Sequence, residues 1–119
     1  MIKNKTGIWG EIYAARYLRD KGFDILASNF YTQYGEIDIV ASDGKLIMFV
    51  EVKTRNVAAY IRAAEAVDGG KKQRLIKTAN TFLKRVHTDL QPRFDVAEVY
   101  LNDDLSLSSI NYIENAFGG

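Results

Sequence analysis

An α/β fold, with a mixed central β-sheet flanked by α-helices in the order α-β-β-β-α-β-β, is what three features of this sequence predict. Two segments, Gly7 to Lys21 and Lys71 to His87, repeat apolar residues at helical spacing. Between them lie an alternating and a nearly continuous apolar stretch, joined by Ser42-Asp43-Gly44-Lys45, a hairpin signal because Asp-Gly suits a type I′ turn. Two further alternating stretches follow the second helix. Helices interleaved with strands in this way pack as layers on a sheet, and 119 residues suffice for a single domain spanning 1–119.

Taken in order, the first helix has Thr6 as its expected N-cap, and Gly22 ends it in a left-handed conformation. At about 100° per residue Ile8, Ile12, Ala15 and Leu18 share one stripe, while Tyr13, Tyr17 and Asp20 fall away from it. Glu11 sits inside that stripe, an acid where a core expects an apolar group. Phe23 to Tyr31 reads as a strand and Thr32 to Gly35 as a polar turn. Glu36 to Ser42 alternates as a half-buried strand does, with Ile37, Ile39 and Ala41 on one face and Glu36, Asp38 and Val40 on the other. Leu46 to Val52 is nearly all apolar, which suits a central strand covered on both faces.

The stretch 56–70 is expected to hold a loop around Ala58 to Arg62 and a short strand near Ala64 to Val67. In the second helix Leu75, Ile76, Ala79, Phe82, Leu83 and Val86 face inward. Arg93 to Leu101 and Leu107 to Tyr112 form the last two strands, joined through Asn102-Asp103-Asp104, with Arg93 and Asp95 as a structural pair.

Composition removes several function classes. At 47% hydrophobic and 26% charged, with one proline, the chain is that of a soluble globular protein. It has no cysteine, which excludes disulfides, zinc-thiolate sites and thiol catalysis. The lone histidine, His87, falls at the end of the second helix as a solvated residue. No apolar run follows the basic start, and none reaches the ~18 residues that span a membrane, so no membrane association and a cytoplasmic location are expected. A net charge of +1 gives no global pull on nucleic acid. Local clustering does: Lys71 to Arg85 carries six lysines and arginines and no acid.

The sharpest anomaly is Phe49-Val50-Glu51-Val52-Lys53-Thr54-Arg55, where the most apolar segment ends in alternating charges. A two-residue turn at Asp43-Gly44 would pair Ser42 with Lys45, Val40 with Ile47, Asp38 with Phe49 and Glu36 with Glu51. Asp38 then lies diagonal to Glu51 on one face, with Lys53 further along it. Like charges so placed repel, and a hard divalent cation, Mg²⁺ or Mn²⁺, converts the repulsion into attraction. Lys53 would stand beside the metal, placed to position a water or to offset phosphate charge. The competing account is an ordinary cross-strand ion pair at a strand end. Glu11 on a buried stripe weighs against it, because an unpaired buried carboxylate is costly.

Five blocks in order, GIWGEIYAARYL, GEIDIVASDG, FVEVKTR, KKQRLIKTANTFL and RFDVAEV, resemble the PD-(D/E)xK nuclease superfamily. Across almost the whole chain the sequence looks like the uncharacterised bacterial YraN-like family, and among small members like archaeal Holliday-junction resolvases. The resemblance implies a restriction-endonuclease-like fold and metal-dependent phosphodiester hydrolysis. It implies Asp38, Glu51 and the backbone carbonyl of Val52 as metal ligands, Lys53 as the catalytic lysine and Glu11 as the helix-borne catalytic acid. Ile37 stands where the superfamily pattern has proline.

Gln73 matches a polar position near the site in related nucleases. With Arg55, Lys72 and Lys77 it makes the expected nucleic-acid-binding set, with DNA favoured over RNA. Tyr31, Tyr34 and Tyr60 are available to stack on unpaired bases or to pack. Three functions compete: a nuclease on branched or irregular DNA, a non-catalytic binding module with the same fold, and an adaptor whose acids are satisfied by Lys53 and Arg55. Junction resolution needs two active sites, so the first carries the expectation of a homodimer.

Overall fold

The computed structural model describes residues 4–57 and 69–117. Its elements are α1 (Lys5–Asp20), β1 (Asp24–Thr32), β2 (Gly35–Ser42), β3 (Leu46–Asn56), α2 (Gly69–Val86), β4 (Gln91–Leu101) and β5 (Leu107–Ile113). The α-β-β-β-α-β-β order is the expected one, and it is consistent with a restriction-endonuclease-like fold. The strand expected near Ala64 to Val67, the loop around Ala58 to Arg62 and Tyr60 lie outside the described residues.

The five strands lie side by side in sequence order. All neighbours are antiparallel except β3 and β4, which run parallel from Leu46–Gln91 to Asn56–Leu101. Parallel neighbours need a crossover, and α2 supplies it. The helices cover opposite faces. On one, Ala14 and Leu18 of α1 pack on Ile39, Ala41, Met48, Val50, Ala97 and Val99. On the other, Leu75, Ala79 and Phe82 of α2 pack on Val40, Ile47, Phe49 and Phe94.

Three local expectations are corrected. The N-cap of α1 is Asn4, not Thr6: its side-chain oxygen accepts from the Gly7 amide at 2.8 Å. The inward stripe of α1 is rotated, with Gly10, Ala14 and Leu18 buried, Ile8 and Ile12 exposed, and Tyr13 and Tyr17 half-buried. Small residues win the contact because the helix lies close to the sheet; a Cβ at Gly10 would overlap Thr54 Oγ1. The tyrosines instead lean on the β4–β5 end, where Tyr17 stacks on Tyr112 and the Tyr13 hydroxyl donates to the Leu105 carbonyl. At the other end of α1 Gly22 is left-handed as expected, at φ +90°. The Phe23 amide there reaches back to the Leu18 carbonyl.

The third correction concerns the hairpin. Ser42 pairs with Ile47 and Val40 with Phe49, so four residues separate the closing pair instead of two. Side chains stabilise the wider turn. Asp43 Oδ1 accepts from the Lys45 and Leu46 amides at 2.8 Å each, and Ser42 Oγ accepts from Gly44 N and donates to Leu46 O. A slip of two residues keeps every side chain on its face, whereas a slip of one would reverse them. It moves Asp38 from the diagonal of Glu51 to the position opposite it in the continued count, just past the last pair, Ile39–Val50.

Strand β2 is also buried from Ile37 to Ser42, on both faces and not on one. Its alternation breaks at Asp38, since Ile37 and Val40 both join the α2 side. In the β1–β2 ladder Asn29, at φ +53°, falls between the Ser28–Ile39 and Phe30–Ile37 pairs, across from Asp38.

Candidate metal centre

Where β2 parts from β3, Asp38 takes over the work of the missing ladder: its Oδ2 accepts the Val52 amide at 2.8 Å. Glu51, one residue earlier on β3, is 9% exposed and Asp38 5%. The two carboxyl groups lie within hydrogen-bonding reach of each other. On the far side of Glu51 the Lys71 ammonium, in the first turn of α2, sits 2.6 Å from Oε2.

The surroundings of Glu51 explain its chemistry. Ile37, Phe49, Leu75, Phe94 and Phe117 line the space beside it, so water is scarce. Desolvation first, and then the hydrogen bond and charge of Asp38, push its pKa up to about 8, although Lys71 pulls the other way. Glu51 therefore holds a proton more tightly than an ordinary carboxyl does. Two carboxylates this close repel when both are ionised, and the Lys71 ammonium offsets part of that repulsion.

The remaining expected residues are distributed as follows. Lys53 is half-buried on β3, in register with Glu98 of β4. Alternation puts Glu51, Lys53 and Arg55 on the face shared with Phe49, the α2 side. Arg55 is half-buried and donates from Nη1 to the Thr54 carbonyl at 3.3 Å. Glu11 is half-buried and lines a cleft of about 310 Å³ with Asn4, Thr6, Gly7, Val52 and Thr54. Among the described residues no three acidic or histidine side chains converge as a metal-ligating group, so the structure brings Asp38 and Glu51 together without Glu11. Gln73 is exposed. The Lys72 ammonium lies 5.9 Å from the centre of the Phe117 ring and that of Lys77 5.3 Å from the Tyr34 ring.

Two residues of this region escape a reading of the sequence. Lys71 appears there only as one cation among six, and nothing in helical periodicity says which would fold back over the sheet. Glu98, 4% exposed, hydrogen-bonds Asn111 Nδ2 at 2.9 Å, next to Lys53 in register. A parallel β3–β4 pairing with Phe49 opposite Phe94 would have revealed it.

The donor set suits a hard divalent ion: two carboxylates, with the Val52 carbonyl nearby on the same strand, offer oxygen ligands only.

Comparison with known proteins supplies the family. The profile described as "Uncharacterised protein family UPF0102" matches residues 10–99. A UPF0102 protein of Caldanaerobacter subterraneus subsp. tengcongensis is 44% identical, over 97% of this chain and 96% of its own. Another, from Clostridium botulinum (strain 657 / Type Ba4), is 43% identical over 93% and 92%. A third, from Caldicellulosiruptor saccharolyticus, is 40% identical over 98% of this chain and all of its own. The matched span holds the whole of the acidic pair and the lysine that covers it, and the chain belongs to the uncharacterised protein family UPF0102.

Proposed function

We propose that the protein is a metal-dependent nuclease that hydrolyses phosphodiester bonds in nucleic acid, DNA in preference to RNA, on branched or irregular substrates. The observation that carries this reading is the buried Asp38–Glu51 pair, held on adjoining strands with its Glu51 carboxyl near pKa 8. A buried carboxyl pair in which one member is strongly shifted, beside basic side chains, is a functional-site signature. Asp38, Glu51 and the Val52 carbonyl would hold Mg²⁺ or Mn²⁺, which when bound supplies Lewis acidity toward a phosphate oxygen and a more acidic water. Lys53 offsets charge on the phosphate or holds the attacking water, while Glu11, the acid expected from α1, lines the neighbouring cleft with Val52 and Thr54. Arg55, Lys72, Gln73 and Lys77 contact the nucleic-acid backbone. Each phosphate neutralised adds about −0.9 to the salt slope on duplex DNA, so this set gives weak, shape-directed binding.

The separation of Glu11 from the pair favours one alternative, a nucleic-acid-binding module that keeps the fold and does not cut. Two experiments decide. Calorimetric titration with Mn²⁺ should give heat for the native chain and none for Asp38→Asn; equal behaviour ends the metal reading. Incubation with four-way, flap and single-stranded DNA in Mg²⁺ or Mn²⁺ should give products that Lys53→Ala abolishes. Intact substrate throughout, with binding retained, establishes the non-catalytic module. Cutting of the four-way substrate further requires a homodimer at the working concentration, which sedimentation would register.

A further inference from the structure

We infer that Lys71 is a phosphate-binding residue of this site, which rests its ammonium on Glu51 in the free protein and passes it to a substrate phosphate when a divalent cation takes Glu51. The inference rests on the nuclease reading above. Its basis is geometric. Glu51 is nine-tenths buried, whereas the Lys71 side chain is 43% exposed, so a chain that runs along the surface brings its ammonium to 2.6 Å from the buried Oε2.

The place of Lys71 in the chain adds to this. It is the third residue of an 18-residue helix whose first turn holds no acid, so the helix dipole favours an anion there. Lys72 follows directly, its ammonium 5.9 Å from the centre of the Phe117 ring. A metal held by Asp38 and Glu51 would bring the phosphate it binds beside Glu51, within the reach of the Lys71 side chain. The exchange is ammonium–carboxylate for ammonium–phosphate, with no covalent change.

The test measures DNA binding in Ca²⁺, a hard cation in place of Mg²⁺, by full-length Lys71→Met and Lys71→Arg chains at several salt concentrations. The expected result for Lys71→Met is unchanged thermal melting, affinity roughly tenfold weaker and a salt slope smaller by about 0.9. Lys71→Arg should retain most of the affinity. A residue that only pinned α2 would lower affinity through lost structure and leave the slope per contact intact. Lys71→Met that binds DNA as the native chain does, with the native slope, overturns the inference and leaves the nuclease reading standing. A native chain that binds no DNA with Ca²⁺ present overturns both. Should Lys71→Met melt early, Lys71→Gln replaces it with the same criteria.

Discussion

Two buried acids in this sheet are treated in opposite ways. Asp95, fully buried on β4, receives both arms of Arg93 at 2.9 Å, the Tyr112 hydroxyl at 2.6 Å and the Asn115 amide at 2.9 Å. Each oxygen is taken by donors; the hydrogen bond to Asp95 raises the pKa of Arg93, and burial first and then the Asp95 hydrogen bond raise that of Tyr112. Glu51 on β3 faces another acid, and its pKa is pushed up instead. A carboxylate saturated with donors serves the fold, whereas Glu51, held against Asp38 with the Lys71 ammonium at 2.6 Å, is the costlier arrangement of the two.

The strongest way to break this contrast is Asp95→Ala. It strands a half-buried Arg93 and the Tyr112 hydroxyl, so urea unfolding should report a loss of about 3–5 kcal/mol, while any Mn²⁺ heat stays intact in the folded fraction. A loss under about 1 kcal/mol would mean that the Asp95 cluster is not the structural member.

Glu51→Gln should act in the other direction. Because the folded pKa lies above the ordinary value of 4.5, the native state holds a proton that the unfolded chain releases as pH rises. Stability from this group is therefore full below about pH 4.5 and lost up to about 8, at no more than about 1.4 kcal/mol per pH unit. Glu51→Gln should flatten that slope and stabilise the metal-free chain at pH 8 by about 2 kcal/mol. A steeper slope in the variant, or a destabilised one, would place Glu51 with Asp95.

Glu98→Gln sharpens the comparison with the smallest effect. Glu98 is buried, but its amide replacement can still accept from Asn111 Nδ2, so a change within about 1 kcal/mol is expected in the same unfolding assay.

Much of the fold was legible because apolar spacing and turn residues act locally. Both helices and all five strands lie where periodicity puts them, and Gly22 ends α1 as its chemistry requires. The misreadings came from contacts beyond the reach of periodicity. Ile8 and Ile12 lose the inner face of α1 because β3 comes too close for them, and the hairpin widens because Asp43 and Ser42 bond their own turn. The acidic pair was readable despite the wrong register, since an error of two residues preserves face. Lys71 was not, because its role depends on where a crossover returns to the sheet.

The close seat of Gly10 on Thr54 has a mechanical consequence. Gly10 precedes Glu11, and Thr54 follows Lys53, so the backbone of α1 bears on β3 within one residue of each. Glu11 is thus anchored beside the α1-side positions of β3, and a methyl group at position 10 would act as a wedge between helix and sheet, because its carbon would overlap the Thr54 side chain.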